Sequence, residues 1–273
     1  MKKFELIVHD NGTHSLRDLT SGEAMHSRIG PKEEAEGLYV NQARLVERLQ
    51  TPGEDLVLWD VGMGTGANVL VALDQIQGSQ PARRLKIHSF ESDITGIETA
   101  LEYRDLFPFL KNNSEAVQGL LQNRTFQSDL FSWTLHEGDF FTNLEKASRP
   151  HVIFYDFYSP QACPELWNVE CFRTIRKFLG KQTCDLYTYT SSTLVRNSML
   201  RAGFYVGTGF GTSMKRESTI ASTELDRLEN PLAVDERWLE KLARSASSGK
   251  IAASELELIQ AEISASRQFR PQA

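Results

Sequence analysis

The chain has 273 residues, of which 40% are hydrophobic and 24% are charged, so it can bury a core, and its composition excludes a disordered protein. It contains no apolar run of about 18 residues, and its N-terminus turns polar too early for a signal peptide, so we expect a cytoplasmic protein with no membrane segment. The net charge of −6 speaks against a protein that is basic throughout, as a general nucleic-acid binder would be.

The first part of the chain predicts a hairpin followed by a helix. Residues 4–20 contain two short strand patterns around Asn11-Gly12, which is a strong turn signal. Pro31 suits the first turn of a helix, and the acidic residues after it suit the positive end of the helix dipole. We therefore assign residues 1–50 to an N-terminal hairpin and a lid-like segment that covers the site.

From residue 56 onward, short apolar runs alternate with helical patterns. This alternation predicts parallel strands with helices on both faces of the sheet. The last two strands, in residues 204–209 and 217–222, stand too close together for a crossover helix and must pair antiparallel. The predicted fold is α/β, with a Rossmann-like domain over residues 51–223 and a seven-stranded sheet.

Residues 224–273 contain two amphipathic patterns separated by Ser247-Ser248-Gly249, and they predict a helical C-terminal appendage. The three cysteines form no CxxC pair, and the six histidines show no metal-ligand spacing. Neither a disulfide framework nor a metal site is therefore predicted.

A glycine-rich loop, residues 60–66 (DVGMGTG), follows the first strand of the alternating region. Such glycines let the backbone approach a ligand and present amide donors at the start of the next helix. Gly62-x-Gly64-x-x-Ala67 satisfies the dinucleotide fingerprint. Asp60 ahead of these glycines instead resembles motif I of class I methyltransferases, which bind S-adenosylmethionine. A simple tight turn is the third interpretation.

Two acidic residues follow later strands. Glu91 ends the strand in residues 85–91, where an acid can accept both ribose hydroxyls of a nucleoside cofactor. Asp139 follows a strand that starts at Phe131; in methyltransferases such an Asp hydrogen-bonds the adenine amino group, although it can also cap the next helix. Both stand at carboxyl ends of strands, where parallel sheets bind ligands.

The run Asp156-Phe157-Tyr158-Ser159-Pro160 closes the next strand. A carboxylate beside aromatic rings suits an amine acceptor, because Asp156 can accept a hydrogen bond from the amine and orient its lone pair. Aromatic faces can hold a cationic sulfonium or a nucleobase. The structural alternative is a buried strand end that leads into a helix at Pro164.

The sequence resembles the methyltransferase half of the bifunctional MnmC tRNA-modification enzymes, particularly the stand-alone versions without the oxidase domain. Residues 156–167 (DFYSPQACPELW) match the family's D-x-F-[AS]-P-x-x-N-P-x-[ML]-W spacing, residues 26–35 match H-S-x-x-G-x-x-x-E-A, and residues 209–219 match a Gly-Phe-rich segment before Lys-Arg. The chain departs from the family at Phe157, where a small residue is usual, and at Cys163, where Asn is usual.

The resemblance implies a class I methyltransferase that uses S-adenosyl-L-methionine to methylate the aminomethyl nitrogen of 5-aminomethyl-2-thiouridine at the tRNA wobble position. Its partners would be the anticodon region of tRNA and a separate oxidase, and Asp156 would be catalytic. The predicted cofactor-binding residues are Asp60, Gly62, Met63, Gly64, Gly66, Asn68, Glu91, Asp139 and Asp156. The predicted substrate-binding residues are His26, Ser27, Glu34, Phe157, Tyr158, Lys215 and Arg216.

The charge distribution gives separate support for tRNA. Residues 1–170 have a net charge of −10, whereas residues 171–216 hold eight basic residues and one acidic residue. This basic segment predicts a contiguous phosphate-binding surface around the mouth of the pocket, with salt-dependent binding; ordinary solvated helix faces are the alternative. Methyl transfer to a small amine, a catalytically idle cofactor-binding protein and an NAD-dependent oxidoreductase stay open as other functions.

Overall fold

The computed structural model describes residues 2–211, 216–247 and 253–271. Its strands are β1 (Phe4–Val8), β2 (His14–Asp18), β3 (Leu56–Val61), β4 (Leu85–Glu91), β5 (Thr125–Gln127), β6 (Phe131–Glu137), β7 (Val152–Tyr155), β8 (Asp185–Thr188), β9 (Tyr205–Gly209) and β10 (Ser218–Ser222). Its helices are α1 (Pro31–Ala35), α2 (Leu45–Gln50), α3 (Ala67–Gln77), α4 (Thr95–Glu102), α5 (Pro108–Asn112), α6 (Ser114–Asn123), α7 (Phe140–Asn143), α8 (Val169–Leu179), α9 (Thr193–Arg201), α10 (Glu236–Ser247) and α11 (Ala253–Ser264).

The central sheet has eight strands in the order β5-β6-β4-β3-β7-β8-β10-β9. The five strands from β6 to β8 in this order run parallel, and β10 lies antiparallel between β8 and β9. This is the predicted Rossmann-like arrangement with an antiparallel pair at one edge. The short strand β5 pairs antiparallel with β6 and adds one strand to the predicted seven.

Two apolar layers enclose the sheet, one on each face. Along β3 every residue is buried, with Leu56 and Leu58 in one layer and Val57 and Trp59 in the other. The first layer contains α3 and α6, and the second contains α8 and α9. Because both faces of a parallel strand are covered, β3 reads as a nearly continuous apolar run rather than as an alternating one.

The N-terminal hairpin is confirmed as a separate two-stranded sheet of β1 and β2. Gly12 takes a φ of +80° in its turn, a conformation that glycine adopts readily. Pro31 lies in the first turn of α1, and a π-helical turn (Glu36–Val40) continues that helix. The π-helical turn places Tyr39 beneath the sheet's carboxyl edge with only 1% of its surface exposed.

The helix after β7 begins later than the sequence predicts. Pro164 starts only a short 3-10 turn, and α8 begins at Val169, where the side chain of Asn168 accepts a hydrogen bond from the Cys171 amide. An Asn cap satisfies an amide that has no partner within the helix, so it defines the start more strongly than the proline does. Residues 156–163 are therefore a loop at the edge of the sheet.

The two predicted C-terminal helices are α10 and α11, and residues 248–252 between them lie outside the described part. Trp238 and Ile263 are buried in the layer formed by α8 and α9, and the Trp238 indole donates to Asn197 Oδ1 at 2.8 Å. The C-terminal helices therefore complete one apolar layer. Among the described residues, no helix is long and apolar enough to cross a membrane.

Candidate functional site

A cavity of about 450 Å³ lies at the carboxyl ends of β3, β4 and β7, beneath the N-terminal hairpin. Parallel sheets bind ligands at this edge. The lining brings together predicted residues from five separate stretches of sequence. Those predicted residues are His26, Ser27, Glu34, Gly62, Met63, Gly64, Asn68, Glu91, Asp156, Phe157 and Tyr158.

The glycine loop has a backbone that only glycine adopts easily. Gly62, Gly64 and Gly66 have φ angles of +85°, +55° and +77°. A Cβ atom on Gly62 would come within 2.7 Å of the Asp156 backbone oxygen, so this glycine allows the loop to lie against the end of β7. Gly66 begins α3 and does not line the cavity.

Asp60 lies below the loop and is completely buried, so it does not line the cavity. Ser89 Oγ donates to its Oδ2 at 2.8 Å, while its Oδ1 has no partner among the described residues. Burial raises the pKa of Asp60 to about 7, because the charged carboxylate is poorly solvated there. Its predicted role in cofactor binding would therefore act through the loop above it.

Glu91 lines the cavity at the end of β4. Its carboxylate accepts the Gly64 amide at 2.9 Å and the Asp93 amide at 3.0 Å. Burial raises the pKa of Glu91, and these amide donors oppose that shift. The glycine loop and this acid thus form one hydrogen-bonded wall of the cavity.

Asp156 lies beside the glycine loop, directly after β7, and two buried side chains bind its two oxygens. The Tyr39 hydroxyl donates to Oδ1 at 2.6 Å, and the Asn68 amide donates to Oδ2 at 2.8 Å. The sequence predicts Asn68 but misses Tyr39, which lies in an apolar stretch that carries no motif. Tyr39 comes into reach because the π-helical turn packs against the sheet.

The hairpin is linked to the loop that follows Asp156. Ser159 Oγ donates to Glu23 at 2.7 Å, and the Tyr158 hydroxyl donates to Asp18 at 3.4 Å. Phe157 contacts Tyr155 edge-on, with ring centres 5.2 Å apart, so the ring packs against the apolar layer as well as lining the cavity.

The stretch that begins at His26 joins the hairpin to the glycine loop. The two ring nitrogens of His26 lie 3.2 Å from Ser15 Oγ and 3.4 Å from Thr65 Oγ1. Burial lowers the pKa of His26 to about 4, so the ring is neutral at neutral pH. Glu34 accepts the Ser27 amide at 2.7 Å, which holds the start of this stretch against α1.

Two further predicted site residues, Asp139 and Arg216, lie outside the cavity lining. Asp139 caps α7 by accepting the Thr142 amide at 2.8 Å, and it is not part of the cavity lining. Arg216 is exposed and also lies outside the lining. Lys215 falls outside the described residues. Roles for Asp139 and Arg216 stay predictions.

The cavity is strongly acidic. Among the described residues, its charged lining consists of five carboxylates and one cation, Lys3, which is itself paired with Asp93. The carboxylates are Glu23, Glu34, Glu91, Asp93 and Asp156. Such a cavity attracts cations and repels phosphate groups, so it disfavours the pyrophosphate of a dinucleotide.

The predicted contiguous basic surface is not formed by the described residues of 171–216. Arg173 and Arg201 both pair with Glu262 of α11, and Arg196 is 2% exposed and pairs with Glu217. The end of α8 leads to the start of β8, at the sheet edge opposite Asp156. Among the described residues, the predicted surface around the pocket mouth is therefore not formed, because Arg173, Arg196 and Arg201 are held in ion pairs.

The chain is similar in sequence to known methyltransferases. A family model described as S-adenosyl-L-methionine-dependent methyltransferase matches residues 103–224. The tRNA 5-methylaminomethyl-2-thiouridine biosynthesis bifunctional protein MnmC of Methylobacillus flagellatus is 28% identical over 206 residues, covering 72% of this chain and 32% of that protein. The corresponding MnmC of Stutzerimonas stutzeri is 29% identical over 224 residues, covering 78% and 34%.

The chain therefore spans about a third of the length of these curated relatives. Among solved structures, MNMC2 from Aquifex aeolicus superposes with a TM-score of 0.70 at 24% identity, covering 97% of this chain and 84% of that one. At this identity the likeness shows a shared fold, and for this chain that fold is a class I methyltransferase fold with an N-terminal hairpin and C-terminal helices.

Proposed function

Because the chain is an MnmC-like, S-adenosyl-L-methionine-dependent methyltransferase, we propose that it methylates the aminomethyl nitrogen of 5-aminomethyl-2-thiouridine at the tRNA wobble position. The observation that carries the proposal is the position of Asp156 in an acidic cavity, facing the glycine loop. The names of the relatives, which refer to biosynthesis of the methylated nucleoside in tRNA, support this acceptor.

The cavity fits the cofactor on three features of the structure. Gly62 and Gly64 bring bare backbone to its wall, and the partly buried carboxylate of Glu91 is suited to two ribose hydroxyls. The acidic lining suits a cation. When bound, S-adenosyl-L-methionine supplies an electrophilic methyl group next to a positive sulfonium.

Asp156 would accept a hydrogen bond from the acceptor amine and direct the nitrogen lone pair toward the methyl group. Phe157, Tyr158 and Tyr189 also line the cavity and offer aromatic faces to a nucleobase. The residues of this chain would act mainly by holding two reactants in contact, a role that accounts for a large part of the rate in such reactions. Direct transfer needs no covalent bond to the enzyme.

The acidity of the cavity also shapes how tRNA would bind. Carboxylates at the rim, such as Glu23, repel phosphates, so only the modified base and its aminomethyl group would enter. The cations of α8 and α9 that pair with Glu262 are not available for phosphates. Binding would therefore depend on few phosphate contacts and respond only modestly to salt.

A small amine is the second candidate acceptor, and the same two observations favour it. The cavity attracts any cationic amine, and the described part of residues 171–216 forms no continuous basic surface. A small-molecule enzyme predicts methylation that is indifferent to added tRNA.

The test is methyl transfer from labelled S-adenosyl-L-methionine to tRNA from cells that cannot complete the wobble methylation. We expect label in 5-methylaminomethyl-2-thiouridine after nuclease digestion. Thermal unfolding provides the control for cofactor binding, since ligand at 100 times its Kd stabilises the protein by about 2.7 kcal/mol. If the cofactor stabilises the protein but the tRNA stays unlabelled, the proposal is refuted. Label on a primary alkylamine instead would support the second candidate.

Asp156→Asn is the matched variant for this assay. It should still bind the cofactor, through the glycine loop and Glu91, and lose methyl transfer to tRNA. Full activity in this variant would remove Asp156 from the proposed role.

A further inference from the structure

The proposed acceptor raises a problem of protonation. A primary alkylamine such as lysine titrates near pH 10.4, so it is an ammonium ion at neutral pH and has no lone pair to offer. A nearby carboxylate stabilises the ammonium form further. Asp156 and the other acidic lining residues would therefore hold the acceptor in the unreactive state unless something weakens them.

The hydrogen bonds to Asp156 act in the required direction. Tyr39 and Asn68 each donate to a different oxygen of the carboxylate. Donors of this kind stabilise the negative charge and lower the affinity of the carboxylate for a proton or a cation. Both donors are at most 7% exposed, so water does not compete for the same positions.

The Tyr39 hydroxyl is held firmly as a donor. Its ring packs against Phe154, with centres 5.3 Å apart. Burial, together with Asp156, raises the pKa of Tyr39 well above its usual value, so the hydroxyl keeps its proton. A buried phenol beside a carboxylate therefore remains neutral and donates throughout the pH range in which enzymes work.

Other charged and titratable groups face this position from each neighbouring element, and most of them are acidic. They are Glu23 before α1, His26, Glu34 of α1, Asp60 of β3, Glu91 of β4 and Tyr189 after β8. Lys3 is the lining cation among the described residues, and it is paired with Asp93. The acidic groups favour the ammonium form of the acceptor. The hydrogen bonds that Tyr39 and Asn68 donate to Asp156 act against this effect.

Resting on the proposed amine acceptor, we propose that Tyr39 and Asn68 are positioning residues that lower the basicity of Asp156, so that the acceptor amine enters the reaction in its neutral form. The ammonium proton passes to solvent water as the amine is seated, and the nitrogen keeps its electron pair for the methyl carbon. The two donors also fix the carboxylate plane and hence the direction of that pair.

The first test needs no activity. In protein labelled with ¹³C at aspartate carboxyls, the Asp156 signal is assigned by its loss in Asp156→Asn and followed against pH without acceptor. Tyr39→Phe should move the midpoint of the Asp156 titration up by about one pH unit, the effect of one charged hydrogen bond. Tyr155→Phe is the matched control, because its buried hydroxyl binds Cys171 and a backbone carbonyl instead. An unchanged midpoint in Tyr39→Phe overturns the inference.

The second test is the dependence of kcat on pH with the tRNA acceptor. Tyr39→Phe should move the acid limb to higher pH by the same amount, so that kcat is about tenfold lower below the limb and recovers above it. An equal loss at every pH would mean a purely structural role and would overturn the inference. If the NMR midpoint moves but native protein leaves tRNA unmethylated, the hydrogen-bond network stands and the tRNA acceptor is refuted.

Discussion

Asp60→Asn is expected to change how stability depends on pH. In the native protein the Asp60 carboxyl is completely buried, and burial raises its pKa from 3.8 to about 7. Between these two values the folded protein retains a proton that the unfolded chain releases. The free energy of unfolding must therefore fall as pH rises through this window.

The structure sets the size of this effect. A rise of about three pK units, at 1.36 kcal/mol per unit, corresponds to a penalty of about 4 kcal/mol once the carboxyl is ionised. An amide at this position has no proton to lose and can still accept from Ser89, which donates to Oδ2 at 2.8 Å. The stability of Asp60→Asn relative to the native protein should therefore improve by up to this amount between acid and alkaline pH.

Urea unfolding of cofactor-free protein at about pH 4 and about pH 8 measures this difference. Subtracting native from variant values cancels the contribution of other titrating groups. Asp105→Asn is the control, because the Asp105 side chain is 74% exposed and its replacement should show little dependence on pH. The reasoning is refuted if the difference in unfolding free energy between Asp60→Asn and the native protein is the same at both pH values, or becomes less favourable to the variant as pH rises.

Three further predictions concern the loop, the hairpin and the C-terminal helices. Gly62 has a φ of +85°, and a Cβ on it would lie 2.7 Å from a backbone oxygen. Gly62→Ala should therefore lower the free energy of unfolding in urea by about 3 kcal/mol and weaken cofactor binding. Gly37→Ala is the control and should be nearly neutral, because the space around Gly37 is open. The native protein should gain up to about 3 kcal/mol of stability as pH rises from about 4 to about 6.5, because the His26 ring has a lower pKa in the folded protein. His26→Gln should lose this gain, and an unchanged pH profile would contradict the expectation. Glu262→Gln should lower the unfolding free energy by about 1 kcal/mol in a single transition, and a separate early transition would show that α11 unfolds independently.

Local sequence patterns were sufficient for most of the fold and for the glycine loop and Glu91 of the candidate cavity. The strand–glycine–helix unit at residues 56–77 depends on apolar runs and on backbone that only glycine adopts, and both properties are local. Glu91 and Asp156 could be placed together from the order of the strands alone, because the carboxyl ends of parallel strands share one edge. The additional strand β5 has three residues, too few for a periodic signal.

Only the tertiary structure decided which side chains meet across the chain. Tyr39 and Asp156 are separated by 117 positions, and no spacing rule connects them. Arg173 and Glu262 are separated by 89 positions, so a segment that looks basic in sequence is partly neutralised by a helix near the other end of the chain. The sequence by itself determined the elements, their order and the sheet edge where the candidate cavity lies. Packing decides which charged side chains stay exposed and which hydrogen-bond donors surround Asp156, because both depend on burial and on partners distant in sequence.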